Sequence, residues 1–419
     1  MPIVLGEKFS FDQSIPSQSF GEIEAEERTT IIVLGAGLAG LTCAFRLAQR
    51  AERRLTQNDL LVLERESNVG GRVRSLQIGA RVLNLGALTF QPEHYPRHSA
   101  LLAELGLTDK VRAIPRHRMI FGDDDRRTRA DNFSLAYEGA KSFFGSGVLT
   151  SRQAQSLLRF YFFHRRVTAP EGGAELMALH EISMAEWATR FGFDRDLQRK
   201  IVEPFAYLCF CPPEKISAAF GVFLLGSNLS HPANLAGGFG QVTDAMAQRL
   251  NGLIETDAMA LAATREPGGF AIVYAQRGKL RRVHSRCLVV AIPANAAAKI
   301  VPEMRERASA VQYGAGHGTV VAGRLKTDAD LFICRATGKN ESPIFGGEAQ
   351  ADGRGSHYMN LLTYRGENSH GAASQLFVGE RMEKLAEYSI VPAVAAPKPG
   401  QKPLPSDWGE GLYMAGDCV

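Results

Sequence analysis

The chain has 419 residues, of which 45% are hydrophobic and 22% are charged. This length exceeds what one compact core needs and predicts two domains, and the composition is typical of a soluble globular protein. The formal net charge of +4 is too small to indicate a nucleic-acid partner.

An N-terminal arm is predicted over residues 1–29. It carries several serines and an acidic cluster at 22–27, and it lacks the basic start and long apolar run of a secretory signal. No apolar run elsewhere reaches the length of a transmembrane helix. We therefore expect an extended or partly disordered arm and a cytoplasmic protein.

A βαβ unit is predicted next. Residues 31–34 form an apolar, β-branched run typical of a buried parallel strand, and residues 60–63 form a second one. Between them, residues 38–50 have the apolar periodicity of a helix. A strand, a helix and a second strand in this order are the context in which a glycine-rich turn binds a dinucleotide.

The glycines and the acidic residue of this unit each suit dinucleotide binding for a physical reason. Gly35, Gly37 and Gly40 have the spacing G-x-G-x-x-G. The first permits the tight turn out of the strand, the second lets a pyrophosphate approach the backbone, and the third lets the helix pack closely on the sheet. The helix N-terminus attracts phosphate. Glu64, after the second strand, is placed to bind an adenosine ribose and disfavours NADP.

The residues that follow indicate which dinucleotide is bound. Glu64-Arg65 and then Gly70-Gly71-Arg72 resemble the E-R-x(4-5)-G-G-R signature of the flavin-containing amine oxidase superfamily. This superfamily includes monoamine and polyamine oxidases, protoporphyrinogen oxidase, phytoene-type desaturases and bacterial L-amino-acid oxidases. The resemblance implies FAD as the cofactor.

Two later segments resemble the same superfamily. Residues 85–87 are similar to its D-L-G-A turn beside the flavin ring, and residues 411–417 are similar to its C-terminal G-L-Y-x-A-G-D. The resemblance implies that Arg72 helps to hold the pyrophosphate, that Asp417 lies at the ribityl or pyrophosphate region, and that the backbone near Met259 contacts the adenine end. The residues that it places at FAD are Gly35, Ala36, Gly37, Gly40, Glu64, Arg65, Gly70, Gly71, Arg72, Gly86, Ala87, Met259, Gly416 and Asp417.

The six cysteines lack the C-x-x-C spacing of a zinc or redox site. Cys43 and Cys287 lie in apolar surroundings and are predicted core residues. Cys209 and Cys211 flank Phe210, where packing is favoured over metal binding. No cysteine matches the flavin-attachment motif of the family, so we expect non-covalent FAD and no metal.

The middle of the chain allows alternatives. Residues 112–129 read as an exposed hairpin of mixed charge or as a patch for an anionic substrate. Residues 151–166 read as a core helix, or as a surface for peripheral membrane contact or a substrate tunnel. Residues 203–218 resemble the protoporphyrinogen oxidase and desaturase branch.

The sequence also departs from the pattern of amine-oxidising relatives. Tyr313-Gly314 matches a segment that in these relatives precedes a lysine near the flavin by a few residues, but none of residues 315–319 is a lysine. His317 is a substitute proton acceptor or, as we favour, an exposed histidine of a glycine-rich turn. The family's helix after the segment of Asp417 is not seen, because the sequence stops two residues later. No catalytic residue is therefore assigned.

We predict an α/β protein with a GR2-type Rossmann-like FAD-binding domain and an inserted mixed α+β substrate domain. The FAD-binding domain comprises residues 30–98, 232–300 and 396–419, and the substrate domain comprises residues 99–231 and 301–395.

The predicted function is FAD-dependent hydride transfer from a C–H of an apolar or aromatic small molecule, with desaturation or oxidation of a C–C or C–N bond. One alternative is an amine or L-amino-acid oxidase, for which Arg324, Arg335 or Arg365 would bind the carboxylate. Another is a non-catalytic FAD-binding scaffold. The substrate, the electron acceptor and the oligomeric state stay open.

Overall fold

The computed structural model describes residues 3–4, 22–114, 117–121, 128–131, 149–169, 172–227, 231–326, 331–335, 344–351, 353, 355–364, 374 and 376–419. These residues form two seven-stranded β-sheets, two smaller sheets and a set of helices. The strands are β1 (Ile3–Val4), β2 (Ile23–Leu34), β3 (Leu60–Leu63), β4 (Ser75–Ile78), β5 (Arg81–Asn84), β6 (Val111–Ala113), β7 (His117–Phe121), β8 (Thr128–Asp131), β9 (Ala233–Leu235), β10 (Ile254–Glu255), β11 (Ala258–Glu266), β12 (Gly269–Gln276), β13 (Lys279–Val290), β14 (Gly316–Leu325), β15 (Leu331–Arg335), β16 (Ile344–Ala351), β17 (His357–Tyr364), β18 (Phe377–Ile390) and β19 (Leu412–Met414).

The helices lie mainly in two stretches of the chain, around the glycine-rich turn and between residues 151 and 227. None in the described part of the chain combines the length and apolar composition needed to cross a bilayer. The α-helices are α1 (Leu38–Arg50), α2 (Pro96–Leu105), α3 (Ser151–Val167), α4 (Gly173–Ala178), α5 (Met184–Phe191), α6 (Arg195–Leu197), α7 (Glu203–Tyr207), α8 (Ala218–Ser227), α9 (Gly240–Arg249), α10 (Ala294–Ile300) and α11 (Arg305–Ser309), with a π-helix at Gln198–Val202 and 3-10 turns at Thr108–Lys110, Leu179–Glu181, Pro213–Lys215 and Pro302–Met304.

The first large sheet contains the predicted βαβ unit. Its strand order is β10-β3-β2-β13-β12-β11, and β19 pairs with β13. The strands around β2 are parallel, whereas β11, β12 and β13 form an antiparallel meander. The predicted helix and second strand are confirmed, with bounds Leu38–Arg50 and Leu60–Leu63. All four residues of β3 are buried, because parallel strands are covered on both faces.

The first strand is longer than predicted, since β2 begins at Ile23 rather than at residue 31. The predicted N-terminal arm is therefore wrong for residues 23–29, which pair with β13. Charge complementarity across this pair explains the difference: Glu24 Oε2 lies 2.7 Å from Lys279 Nζ, and Glu26 Oε1 lies 2.9 Å from Arg282 Nη1. The acidic cluster that suggested disorder thus faces a basic strand.

Strand β13 runs without interruption from Lys279 to Val290. Cys43 and Cys287 are half-buried, so they border the core rather than lying inside it. Helix α2 ends at Gly106, which adopts a left-handed φ of 74°.

The second large sheet has the order β18-β14-β17-β16-β15-β7-β8. Its neighbours are antiparallel except for β15 and β7. The predicted hairpin of mixed charge corresponds to β7 and β8, and its acidic turn at residues 123–125 lies outside the described residues. His317 lies in β14 and is half-buried, so the prediction of an exposed turn histidine is wrong. Pairing with β17 and β18 holds it in a strand.

A helical layer packs its own apolar core between residues 149 and 225. Phe160 and Phe205 have no exposed surface, and Cys209 and Cys211 are buried in the same cluster, which agrees with packing roles for both cysteines. Helix α3 has one buried face, yet Phe162 on the opposite face is 62% exposed. The core-helix interpretation therefore accounts for one side of this helix only.

The β4–β5 hairpin joins the two large sheets. Leu83 and Leu85 from this hairpin and the turn after it pack against Val320, Leu362 and Ile390 of the second sheet. The same hairpin forms the small sheet β1-β4-β5, to which Ile3–Val4 contributes a parallel strand. The junction brings the glycine-rich turns of the first sheet close to apolar residues of the second.

Candidate active site

A cavity of about 940 Å³ lies at this junction. Its wall is made by the turn after β2, the end of β3, the two turns that follow β3 and β5, the C-terminal segment, and residues from the helical layer and the second sheet. Of the residues predicted to bind FAD, those that line the cavity are Gly35, Gly37, Glu64, Arg65, Gly70, Gly71, Arg72, Gly86, Ala87, Met259, Gly416 and Asp417.

The other two predicted residues, Ala36 and Gly40, lie behind the cavity wall. The Ala36 N–H donates to Glu64 Oε2 at 2.7 Å. A Cβ on Gly40 would come within 1.9 Å of the Gly35 carbonyl oxygen, so only glycine permits the observed contact between α1 and the turn. The third glycine of the motif therefore has the packing role that the sequence predicted.

Helix α1 presents its N-terminus to the cavity. Gly37 is the N-cap residue, no side chain caps the helix, and the first turn contains no acidic residue. The N–H groups of a first turn have no partner within the helix, and the helix dipole adds partial positive charge there. This end of the cavity is therefore suited to an anionic group such as a pyrophosphate.

A second glycine turn lies beside the first. The Gly70 N–H donates to the Ala36 carbonyl at 2.9 Å, and Gly37 and Gly70 form an isolated β-bridge. Gly70 and Gly71 both have left-handed φ values, 115° and 56°. A Cβ on Gly71 would lie 3.2 Å from Gly37 Cα, so the two turns are in close contact. Together they give the cavity a wall of bare backbone.

Glu64 is held rigidly at this wall. It is 8% exposed, and its Oε1 accepts from the Glu66 N–H at 2.9 Å while its Oε2 accepts from Ala36. Burial raises the pKa of Glu64, and these two backbone hydrogen bonds oppose that rise. Each carboxylate oxygen keeps a further lone pair, so both can accept an additional hydroxyl donor.

Arg72 and Asp417 form an ion pair that the sequence did not predict. Arg72 Nη1 lies 2.6 Å from Asp417 Oδ2 and also donates to the Ala393 carbonyl at 2.5 Å. Asp417 Oδ2 accepts in addition from the Ala395 N–H at 3.1 Å. Burial would raise the pKa of Asp417, but the hydrogen bond and charge of Arg72 outweigh it and lower that pKa. The pair ties the C-terminal segment to the second glycine turn.

The opposite end of the cavity is apolar. The charged side chains of the wall come from the first βαβ unit, the turn after it and Asp417, whereas the helical layer and the second sheet contribute uncharged ones. Gln91 and Tyr95 also line the cavity and are polar. Burial raises the pKa of Tyr95, so its hydroxyl stays neutral. The apolar wall residues include Leu88, Leu208, Phe210, Leu224, Leu362 and Ile390.

Sequence reasoning missed this apolar wall. Phe210 lies between the two cysteines predicted to pack and was assigned no role of its own, but it lines the cavity and has a left-handed φ of 54°. Its ring fills space beside Gly316, where a Cβ would come within 1.7 Å of the ring. A backbone conformation rarely adopted by a non-glycine residue is a signal of a functional site, but no sequence pattern shows it.

The candidate catalytic groups are not brought to the cavity. His317 is not among the lining residues, and its Nδ1 lies 3.2 Å from Ser389 Oγ. Arg324 is exposed and does not line the cavity. The side chains of Arg335 and Arg365 fall outside the described part of the structure. Among the residues described, no lysine lines the cavity and no group of His, Cys, Asp or Glu could hold a metal ion.

The cavity suits FAD because it offers hydrogen-bonding groups for the dinucleotide and glycine backbone that a ligand can approach closely. A Cβ on Gly37 would meet no heavy atom closer than 3.9 Å, and one on Gly416 would meet none within 4 Å. Both glycines line the cavity, so the protein leaves this space empty where a dinucleotide would approach. The uncapped helix N-terminus suits its pyrophosphate, and the buried Glu64 carboxylate suits its ribose.

Comparison with known proteins agrees with this geometry. Residues 38–388 match the family described as flavin containing amine oxidoreductase. The solved structure of wild-type putrescine oxidase bound to putrescine superposes with a TM-score of 0.68 over 93% of each chain, at 16% identity. At that identity the likeness shows the fold, and it confirms the predicted α/β class with a Rossmann-like FAD-binding domain.

Two curated relatives match over shorter stretches. The chain is 40% identical over 78 residues to coproporphyrinogen III oxidase of Mycobacterium tuberculosis (strain ATCC 25618 / H37Rv), a match that spans 19% of this chain and 16% of the relative. It is 34% identical over 89 residues to protoporphyrinogen oxidase 2, chloroplastic/mitochondrial, of Arabidopsis thaliana, a match of 21% and 16%. These matches confirm the predicted family resemblance.

Proposed function

Because this chain belongs to the flavin containing amine oxidoreductase family, we propose that it is an FAD-dependent oxidoreductase acting on an apolar or aromatic small molecule. The reaction is desaturation or oxidation at a C–C or C–N bond. The observation that carries the proposal is the single cavity that joins the predicted dinucleotide residues to an uncharged, largely apolar end.

The chain's residues have distinct roles toward FAD in this proposal. The α1 N-terminus and the backbone of Gly35, Gly37 and Gly71 hold the pyrophosphate, and Glu64 holds the adenosine ribose. The Arg72–Asp417 pair orders the wall beside the ribityl and pyrophosphate region. Among the described residues, no cysteine lines the cavity near Gly416, and we propose that FAD is bound non-covalently.

The apolar end orients the substrate and excludes water. When bound, FAD supplies the redox chemistry by accepting a hydride from a substrate C–H. Leu208, Phe210 and Leu362 then pack against the substrate, and the low polarity of this end favours a neutral molecule over a charged one. The described lining residues from the helical layer and the second sheet include no carboxylate, histidine or lysine. We therefore propose a substrate that loses a hydride without prior deprotonation.

The alternatives have less support from the site. An amino-acid oxidase needs a cation for the substrate carboxylate, and the described residues of the apolar wall include none. An amine substrate bound as an ammonium ion would need an acidic side chain at that end, where none is described. We further propose that residues 30–98, 232–300 and 396–419, together with residues 23–29 of β2, form the FAD-binding domain, that the substrate domain lies between these segments, and that the protein is cytoplasmic.

Anaerobic bleaching of the bound flavin tests the proposal. The FAD-loaded protein is mixed with coproporphyrinogen III, a protoporphyrinogen, aliphatic and aromatic amines, and L-amino acids, and flavin absorbance is followed. We expect reduction by a compound whose reacting part is an uncharged ring, as in the two porphyrinogens, and none by amino acids. Bleaching by amines alone would favour amine oxidation, and a bound flavin that no compound reduces would favour a scaffold.

A pair of variants tests whether the apolar end of the cavity binds the substrate. Leu224→Gln places a polar side chain in the cavity wall, and we expect KM for the reducing substrate to rise about tenfold with unchanged FAD affinity. Leu158→Gln is the matched control, because Leu158 is 51% exposed and does not line the cavity. Equal KM values for both variants would remove the apolar end from substrate binding.

A further inference from the structure

A buried polar network lies behind the cavity wall, on the far side of the turn at residues 85–87. Its members are Asn84 on β5, Glu348 on β16, Asn360 on β17 and Tyr388 on β18, and none is more than 5% exposed. None of them lines the cavity. Gly86 and Ala87, two and three residues after Asn84, do line the cavity. The network therefore borders the site without entering it.

Two side chains of the second sheet hold the backbone of this turn. Asn360 Nδ2 donates to the Asn84 carbonyl at 2.7 Å and lies 3.3 Å from the Leu85 carbonyl. The Tyr388 hydroxyl is within hydrogen-bond distance of the Leu85 carbonyl and of Asn360 Oδ1, 2.8 Å away. A hydroxyl has one hydrogen, so Tyr388 donates to one of these acceptors at a time.

Glu348 fixes the residue before the turn. Its carboxylate accepts from the Asn84 N–H at 2.9 Å, and it is approached by the side-chain amides of Asn84, Asn234 and Gln350 at 3.2–3.4 Å. Asn84 Oδ1 accepts in turn from the Phe239 N–H at 2.8 Å. The N–H, the carbonyl and both ends of the Asn84 side chain are thus engaged, by two strands of the second sheet and by the start of α9.

From these contacts we infer that Tyr388, Asn360 and Glu348 are positioning residues that place the turn at residues 85–87 against bound FAD. The turn is constrained on its other side by Arg72, since a Cβ on Gly86 would come within 1.8 Å of the Arg72 carbonyl oxygen. The network and the second glycine turn therefore clamp the Gly86 backbone from both sides. This inference rests on the FAD binding that is proposed above.

The network has an energetic reason to be rigid. A buried carbonyl or amide that loses its hydrogen-bond partner stays desolvated without compensation, so the network strongly favours the one arrangement that satisfies all of its members. Removal of the Tyr388 hydroxyl leaves the Leu85 carbonyl with the longer Asn360 contact only. The turn is then free to shift toward the cavity, where Gly86 and Ala87 would obstruct the flavin ring.

A matched pair of tyrosine variants tests the inference. Tyr388→Phe removes the hydroxyl and keeps the ring. Tyr274→Phe is the control, because Tyr274 is also fully buried, and its hydroxyl lies 3.3 Å from Glu255 Oε2 in the first sheet without lining the cavity. FAD affinity of the apo-protein, measured by quenching of flavin fluorescence, and Tm are determined for both variants.

We expect both variants to lower Tm, but only Tyr388→Phe to weaken FAD binding, by about 5- to 30-fold. A loss of stability without a loss of FAD affinity in Tyr388→Phe would show a purely structural network and overturn the inference. If Tyr388→Phe does not fold, Glu348→Gln decides the question. This variant keeps the side-chain volume but replaces one accepting oxygen with an NH₂ group, which then faces the N–H donors around residue 348. FAD affinity equal to wild type in that folded variant also overturns the inference. Wild-type protein that does not bind FAD would instead refute the proposed function.

Discussion

At the scale of single residues, Glu64 is positioned by backbone rather than by side-chain contacts. Its carboxylate oxygens accept from the N–H groups of Ala36 and Glu66 at 2.7 and 2.9 Å. The carboxylate therefore links the end of β3 to the first glycine turn. A change at this residue affects both the ribose site and the shape of the turn.

We predict that Glu64→Ala weakens FAD binding by roughly 10- to 100-fold, because charge-assisted hydrogen bonds contribute about 1.5–3 kcal/mol each at most. Glu64→Gln keeps one acceptor and should have a milder effect. Titration of the apo-variants with FAD measures both affinities. The exposed Glu52, after α1, provides the control Glu52→Ala, which should bind as wild type. Wild-type affinity in Glu64→Ala would remove the residue from the site.

Glu348 is the residue from which a pH dependence of stability is expected. Burial raises its pKa from 4.5 to about 7, although amide donors surround it. A carboxyl with a raised pKa in the folded state binds its proton more tightly there, so its contribution to stability is complete below about pH 4.5 and is lost as pH rises through about 7. Glu348→Gln cannot titrate, and the Tm advantage of wild type over this variant should shrink between pH 5 and pH 8. Thermal unfolding of the apo-proteins at both pH values measures this difference, and a constant difference would contradict the prediction.

At the scale of elements, the pairing of β2 with β13 depends on side chains that are far apart in the sequence. Glu24, Glu26 and Glu27 pair with Lys279, Arg282 and Arg281. Exposed pairs of this kind contribute about 0.2–1 kcal/mol each. Several of them along one strand pair favour a single register.

Charge reversal tests this register. Glu26→Lys opposes the new ammonium to Arg282, and we expect a loss of about 1 kcal/mol in the free energy of unfolding. The double variant Glu26→Lys with Arg282→Glu restores opposite charges and should recover most of that loss. Urea unfolding of the two single variants and the double variant gives the coupling energy. Additive losses would show that the pair does not interact.

At the scale of the whole molecule, the cavity draws its wall from both large sheets and from the helical layer. A ligand that fills it therefore stabilises the packing of these layers on one another. We predict that FAD raises Tm, in line with a stabilisation of about 2.7 kcal/mol when free FAD is a hundredfold above its Kd. Thermal unfolding with increasing FAD measures the shift, with FMN as the control that lacks the adenosine. An equal shift with FMN would contradict the assignment of Glu64 to an adenosine ribose.

Acid precipitation of the same sample tests the mode of attachment. We expect the flavin in the supernatant, since the cysteines near the cavity have no attachment motif. Cys43 lines the cavity at its other end, and burial raises the pKa of its thiol, which disfavours the reactive thiolate. Flavin that stays with the precipitated protein would show a covalent link.

The βαβ unit, the exact bounds of its helix and second strand, and the superfamily could all be predicted from the sequence, because they depend on local periodicity and on a turn whose glycines permit a specific backbone. Features that depend on contacts between distant segments became visible only in the folded chain. Residues 23–29 were predicted to be extended or partly disordered, but they form a strand because their acidic side chains pair with basic side chains of β13. Phe210, Leu362 and Ile390 have the apolar character of core residues, and they become a cavity wall because the β4–β5 hairpin joins two sheets there. The Arg72–Asp417 pair and the network around Asn84 likewise join residues hundreds of positions apart, and no local pattern encodes which buried polar groups will satisfy one another.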